Sequence, residues 1–318
     1  HPEYKGMPAD ATFEEFVAYI QNQRKEHGAI YDMDNGQQVA SAVGTETTVH
    51  IEQNLDWRYV DELTAKGTAV SVHNHPNTPG IQPGAKALEK IGNDILDTAN
   101  LRHHEHSTHI TFSFNDLIAG VALNEKHILV ANPDGSLWRI DRPKGGWLRV
   151  DDYETQYNQR LRTLTDDGTL EELQAAHGKI VESVGEELNP KISWLQEELK
   201  QINEAFSSGV IDKKKRDSLR KLTLQAGSQW ILGESQRLIN KRLADLYEEV
   251  FGSRPYRQVG PGRYSATGPV RKAQSDDSFK VERSLLKNRV KQSIEDFKLK
   301  TDAQIEEIRA YRVGSKTK

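Results

Sequence analysis

The spacing of apolar positions changes partway along the chain, and the change falls near residue 150. Before it, Phe13, Phe16, Val17 and Ile20 recur at helical intervals between Thr12, a suitable N-cap, and Gly28, a suitable stop. This predicts a helix over Thr12 to Arg24 that ends near Glu26. Gly28-Ala29-Ile30-Tyr31, Gln38-Val39-Ala40 and Thr47-Thr48-Val49-His50-Ile51 read as strands, the first two joined by the hairpin signal Asp34-Asn35-Gly36. A helical stretch from Trp57 to Ala65 precedes the β-branched run Thr68-Ala69-Val70-Ser71-Val72, which delivers His73 at its end. Ala85 to Ala99, with Leu88, Ile91 and Ile95 on one face, predicts a further helix. His127 to Val130 and Ser136 to Ile140 flank the turn Asn132-Pro133-Asp134-Gly135. Residues 1–150 therefore read as an α+β domain, a small sheet flanked by helices.

From Tyr153 onward the period is helical: Leu170, Leu173 and Ala176, then Ile192, Leu195, Leu199 and Ile202, then Leu219, Leu222 and Leu224, then Ile231, Leu238, Ile239, Leu243 and Leu246. A mostly α-helical region over 151–253 follows the first domain. Residues 254–277, rich in Gly, Pro, Ser and Arg, read as a flexible basic linker. Residues 278–318 read as a last helix with a modest apolar stripe beside many Lys and Arg. The C-terminal helices are a candidate surface for oligomerisation.

Composition narrows the function classes. A net charge of −4 gives no general attraction to nucleic acid, although Arg254, Arg257, Arg263, Arg271 and Lys272, with Tyr256 and Tyr264 between them, form a weak candidate for a phosphate backbone. The bland reading of that segment is a solvated linker. The Trp residues at 138, 147, 194 and 230 are expected to be packing residues. A mean hydropathy of −0.73 and the lack of any long apolar run predict a soluble chain with no membrane span. The sequence opens on His1, from which a processed or trimmed product with sequence upstream is expected. Cysteine is absent, so any metal must sit on His, Asp or Glu.

The histidines of Val72-His73-Asn74-His75-Pro76 stand one residue apart at a strand end, so both project to one side and can grip one ion. A hydrolytic zinc needs about three protein ligands, an open position for water and a carboxylate to accept its proton. Asp116, in Phe112-Ser113-Phe114-Asn115-Asp116-Leu117, is the candidate third ligand, with Ser113 or Asn115 capping the helix that holds it. The cluster His103-His104-Glu105-His106-Ser107-Thr108-His109 is either a rival source of that ligand or an exposed polar loop. Glu26, at the junction of first helix and first strand, is the candidate base, with Glu46 and Glu52 as rivals.

Glu26-His27-Gly28, His73-Asn74-His75-Pro76 and Ser113-Phe114-Asn115-Asp116 resemble, in order and local context, the three parts of the JAB/MPN (JAMM) zinc metalloprotease motif. The His-Asn-His-Pro form is similar to the bacterial and phage branch, which includes RadC-like and phage head-associated JAB-like proteins. The resemblance covers about residues 10–145 and implies a cytidine deaminase-like α+β fold. It further implies Zn2+ on His73, His75 and Asp116, Glu26 as the general base, and Ser113 as the group that stabilises the oxyanion. The activity implied is hydrolysis of a peptide or isopeptide bond in a polypeptide substrate, such as a ubiquitin-like or phage structural protein, in a cytoplasmic or virion-associated setting. The alternative is a phage or mobile-element virion protein whose JAB-like domain is not catalytic. One departure stands out: the family places the Asp soon after the second His, whereas the interval Pro76 to Asn115 intervenes here. That insertion would serve as a lid or substrate-selecting loop, or supply a different third ligand.

Overall fold

The computed structural model describes residues 11–45, 48–54, 56–76, 112–132, 135–150, 154–260 and 263–265, together with 284, 287, 288 and 290–296. In chain order the elements are α1 (Phe13–Ile20), β1 (His27–Asp32), β2 (Gln37–Val43), a 3-10 turn (Ile51–Asn54), α2 (Trp57–Lys66) and β3 (Ala69–Asn74). They continue with α3 (Phe114–Ala122), β4 (His127–Ala131), β5 (Leu137–Asp141), α4 (Tyr157–Asp166), α5 (Thr169–Ser207), α6 (Lys213–Phe251), β6 (Tyr256–Gly260) and β7 (Arg263–Ser265). The protein is α+β with a mixed sheet and a helical C-terminal region. No helix among the described residues is long and apolar enough to cross a membrane.

The sheet has the order β2-β1-β3-β4-β5-β6-β7, with β3 and β4 parallel and every other pair antiparallel. Central β3 is buried on both faces, which suits its β-branched run. Val70 and Val72 pack with Phe16, Ile20, Ala29 and Tyr31 in the core under α1. Ser71, His73 and His75, displaced by one residue, take the opposite face. The N-terminus of α1 is fixed by a capping box, in which the Glu15 amide donates to Thr12 Oγ1 at 3.3 Å and the Thr12 amide to Glu15 Oε2 at 3.0 Å.

Three expectations are corrected. The first helix stops at Ile20, and Glu26 is drawn into the sheet, its amide donating to the Thr45 carbonyl at 2.7 Å and its carbonyl accepting from the Gly44 amide at 2.8 Å. Val49 to Ile51 form no strand: the Thr45 amide donates to the Thr48 carbonyl at 2.8 Å, and the chain enters the 3-10 turn. Ile51 then lies over Gly28, where a Cβ would come within 2.5 Å of it, so Gly28 is needed for close approach. Residues 254–277 are not simply a linker, because Tyr256–Gly260 pairs with β5 and Arg263–Ser265 pairs with Tyr256–Gly260. Arg254 is paired with Asp245 and with Glu248, and the Tyr256 hydroxyl donates to Asp141 Oδ2 at 2.7 Å, so this segment is used by the fold. Arg271 and Lys272 lie outside the described residues.

The described residues fall into two compact units, and neither boundary is near residue 150. The first unit holds the sheet, α1 to α4, α5 as far as Glu186 and α6 from Ser235. The second holds α5 from Glu187 and α6 as far as Glu234. Within it, Gly227 admits Leu195, against which a Cβ would stand at 2.6 Å, and Lys191 lies 4.6 Å from the Trp230 ring centroid. Trp138, Trp147, Trp194 and Trp230 are all buried, as packing residues should be. Of the expected last helix, residues 290–296 are helical, and the rest of 278–318 lies largely outside the described residues.

Candidate metal centre

The period of β3 puts His73 and His75 on one side of the sheet, and His75 continues the strand by donating its amide to the Ala131 carbonyl at 3.2 Å. Asp116 reaches them from the first turn of α3. Ser113 caps that helix: the Asp116 amide donates to Ser113 Oγ at 3.2 Å, while the Ser113 amide donates to Asp116 Oδ2 at 2.7 Å. The capping box thus aims the carboxylate at the histidines, and it takes only a lone pair of Ser113 Oγ.

His73 Nε2 and His75 Nε2 are 3.1 Å apart, and Asp116 Oδ2 is 3.3 Å from the first and 3.8 Å from the second. An ion about 2.0–2.1 Å from its donors in tetrahedral geometry holds those donors about 3.3 Å apart. The three separations bracket that value, so the donor set fits one small divalent cation. Asp116, the third ligand expected from sequence, converges with the two histidines among the described residues. The region 77–111, with its predicted helix and histidine cluster, and the side chains of Glu46 and Glu52 lie outside the described residues.

Glu26 is buried at 8 % exposure, and burial pushes its carboxyl up to about 7, with His73 lowering and Asp116 raising it by their charges. Burial opposes charge on His73, but Asp116, by charge and hydrogen bond, outweighs it and lifts His73 above the usual histidine range. For His75 burial wins and the shift is downward. Burial also opposes charge on Asp116, yet the two histidines hold its carboxyl well below the usual range. The cluster therefore pairs one anionic carboxylate with one imidazole that favours its charged form, a role a metal dication would take over.

Two residues outside the expected set shape the site. Asn74, fully buried between the histidines, accepts from the His27 amide at 2.6 Å through Oδ1 and donates to the Lys25 carbonyl at 3.2 Å through Nδ2. It clamps the backbone on both sides of Glu26. Asn74→Ala removes the side chain that bonds the buried His27 amide and the Lys25 carbonyl, so unfolding by denaturant should show a loss of about 2–4 kcal/mol. Tyr247, on α6, donates its hydroxyl to the Phe112 carbonyl at 3.3 Å, and its ring meets Phe114 edge-on at 6.3 Å. The end of the long helix thus steadies the segment that presents Asp116. The signal for Asn74 was a polar residue in a buried β-branched run; Tyr247 gave none.

A second buried carboxyl, Glu125, lies on the same side of β3 and accepts from Ser71 Oγ at 2.6 Å and from the Ser71 amide at 3.2 Å. Burial raises its pKa to about 7, against the lowering effect of the Ser71 hydrogen bonds. Because the folded pKa exceeds the ordinary 4.5, the penalty for ionising Glu125 is absent below pH 4.5, grows between 4.5 and about 7, and is complete above it. Glu125→Gln should therefore be more favourable at pH 8 than at pH 4.5 by up to about 3 kcal/mol in denaturant unfolding relative to the parent chain.

No protein-family model matches this chain, and neither a curated protein nor a solved structure matches it.

Proposed function

We propose that this chain is a JAMM-type, zinc-dependent hydrolase that cuts a peptide or isopeptide bond in a polypeptide. The observation that carries the reading is the convergence of His73, His75 and Asp116 beside a buried Glu26 whose carboxyl is poised near neutrality. His73, His75 and Asp116 would hold the zinc ion, which when bound would supply a Lewis acid and lower the pKa of a water on it. Glu26, held in place through Asn74, takes the proton of the attacking water and returns it to the leaving amine. Ser113, whose Oγ accepts from the Asp116 amide, keeps its O–H free of that bond and directs it to the developing oxyanion. The JAB/MPN resemblance agrees with these roles position by position.

The test is hydrolysis of a fluorogenic peptide library and of a lysine isopeptide conjugate by the purified chain. Cleavage that stops with a zinc chelator and returns on adding zinc supports the reading. Cleavage indifferent to the chelator contradicts it, and metal binding without cleavage of either substrate class supports the non-catalytic virion role instead.

A further inference from the structure

At the opposite end of β3 from the histidines, the end of α2, the α3–β4 turn, residues 142–147 and 154–155 and Arg160 of α4 line an open polar cavity of about 260 Å³. β3 separates the two places by roughly 16 Å. We propose that this cavity binds a small oxyanion, a phosphoryl or carboxylate group, independently of the metal centre.

Its cationic lining is Arg142, Lys144 and Arg160, together with Lys66, which is paired with Glu62, in a chain whose net charge is −4, so this is a local concentration and not a sample of a basic surface. Arg160 is 5 % exposed and is fixed by donating to the Glu154 carbonyl at 3.0 Å and the Val121 carbonyl at 3.1 Å. Arg142 donates to the Asn124 carbonyl at 2.8 Å. These carbonyls orient the guanidiniums without cancelling their charge. Burial holds Arg142 below the usual arginine range.

Backbone geometry makes room for this arrangement. Gly67 ends α2 in the left-handed region at φ 61°, and a Cβ there would lie 1.9 Å from the Arg142 guanidinium. Only glycine leaves Arg142 its place. Glu62 pairs with Lys66, so that pair adds no net charge, and Glu154, the acid in the lining among the described residues, accepts from Thr163 Oγ1 at 2.7 Å. Lys144 is exposed at the mouth, next to Gly145 and Gly146. The cavity lies below the usual size of a drug-like pocket, about 300–1,000 Å³, which suits an anion or the anionic end of a larger molecule.

The probe is inorganic phosphate against chloride at equal pH and ionic strength, read by thermal unfolding of the full chain. Phosphate at 10 mM, on the order of several times the Kd expected for such a site, should raise Tm by about 2 °C or more. Lys144→Met, a change at an exposed position, should at least halve that shift, and Arg142→Gln should abolish it. His73→Ala should keep it whole, which separates this cavity from phosphate bound by a metal. Acetate in place of phosphate tells a carboxylate site from a phosphoryl one. A shift no larger in phosphate than in chloride overturns the proposal, as does a full shift retained in both Lys144→Met and Arg142→Gln.

Discussion

Replacing His73 by alanine is expected to strip the chain of zinc. His73 is the ligand closest to both other donors, 3.1 Å from His75 and 3.3 Å from Asp116, so its loss leaves two donors on one side of an ion that needs three. Zinc affinity should fall by more than about a hundredfold, beyond what loss of an outer-shell partner costs. Elemental analysis after dialysis reads this directly, and His75→Ala should behave alike. A separate consequence falls on Asp116, which keeps its half-buried position but loses its strongest positive neighbour, so its carboxyl should titrate higher in the metal-free variant.

Glu26→Gln should have the opposite profile, with metal retained and turnover lost. Glu26 is not among the converging donors, and glutamine preserves its shape and burial while removing the ability to carry a proton. Removal of a general base typically costs about 10²- to 10⁴-fold in rate, and kcat should fall by that much with little change in KM. The base works only when ionised, so activity of the parent chain should rise with pH on an acid limb set by Glu26. Among the protein groups alone burial places that carboxyl near 7, and a cation on His73, His75 and Asp116 pulls it lower. In the glutamine variant the limb should vanish. Zinc lost together with activity would make Glu26 a ligand or a folding residue and remove it from the role of base.

Much of the site was legible in the sequence because its parts obey local rules. Strand alternation placed His73 and His75 together, and helix capping placed Asp116 through Ser113. Neither step needed knowledge of the intervening Pro76 to Asn115, since β3 and α3 each fix their own side chains. The contributions of Asn74 and Tyr247 depend on pairings across long stretches of sequence, with Lys25 and His27 in one case and Phe112 in the other. No local period encodes them.

The fold shows the same division. β1, β3, β4 and β5 followed from apolar runs and turn residues, whereas Tyr256–Gly260 lacks an apolar period and is a strand because β5 offers it an open edge. Val49 to Ile51 failed in the other direction. Its residue types favour a strand, but the chain turns back at Gly44 and Thr45, and Ile51 is used over Gly28. The composition of 151–253 revealed helices but not that the first part of α5 and the last part of α6 belong with the sheet. Tyr247, near the end of that run, and His177 of α5 both pack against Phe114, in the turn that carries Asp116.

The central claim is that His73, His75 and Asp116 form one metal site. Anomalous diffraction at the zinc edge, from crystals grown with one equivalent of zinc, tests it most directly. The account predicts a single strong peak about 2.0–2.1 Å from His73 Nε2, His75 Nε2 and an Asp116 carboxylate oxygen, with Glu26 beside it. A peak elsewhere on the chain, or no peak while the two imidazoles stay in contact with each other and with Asp116, would contradict it.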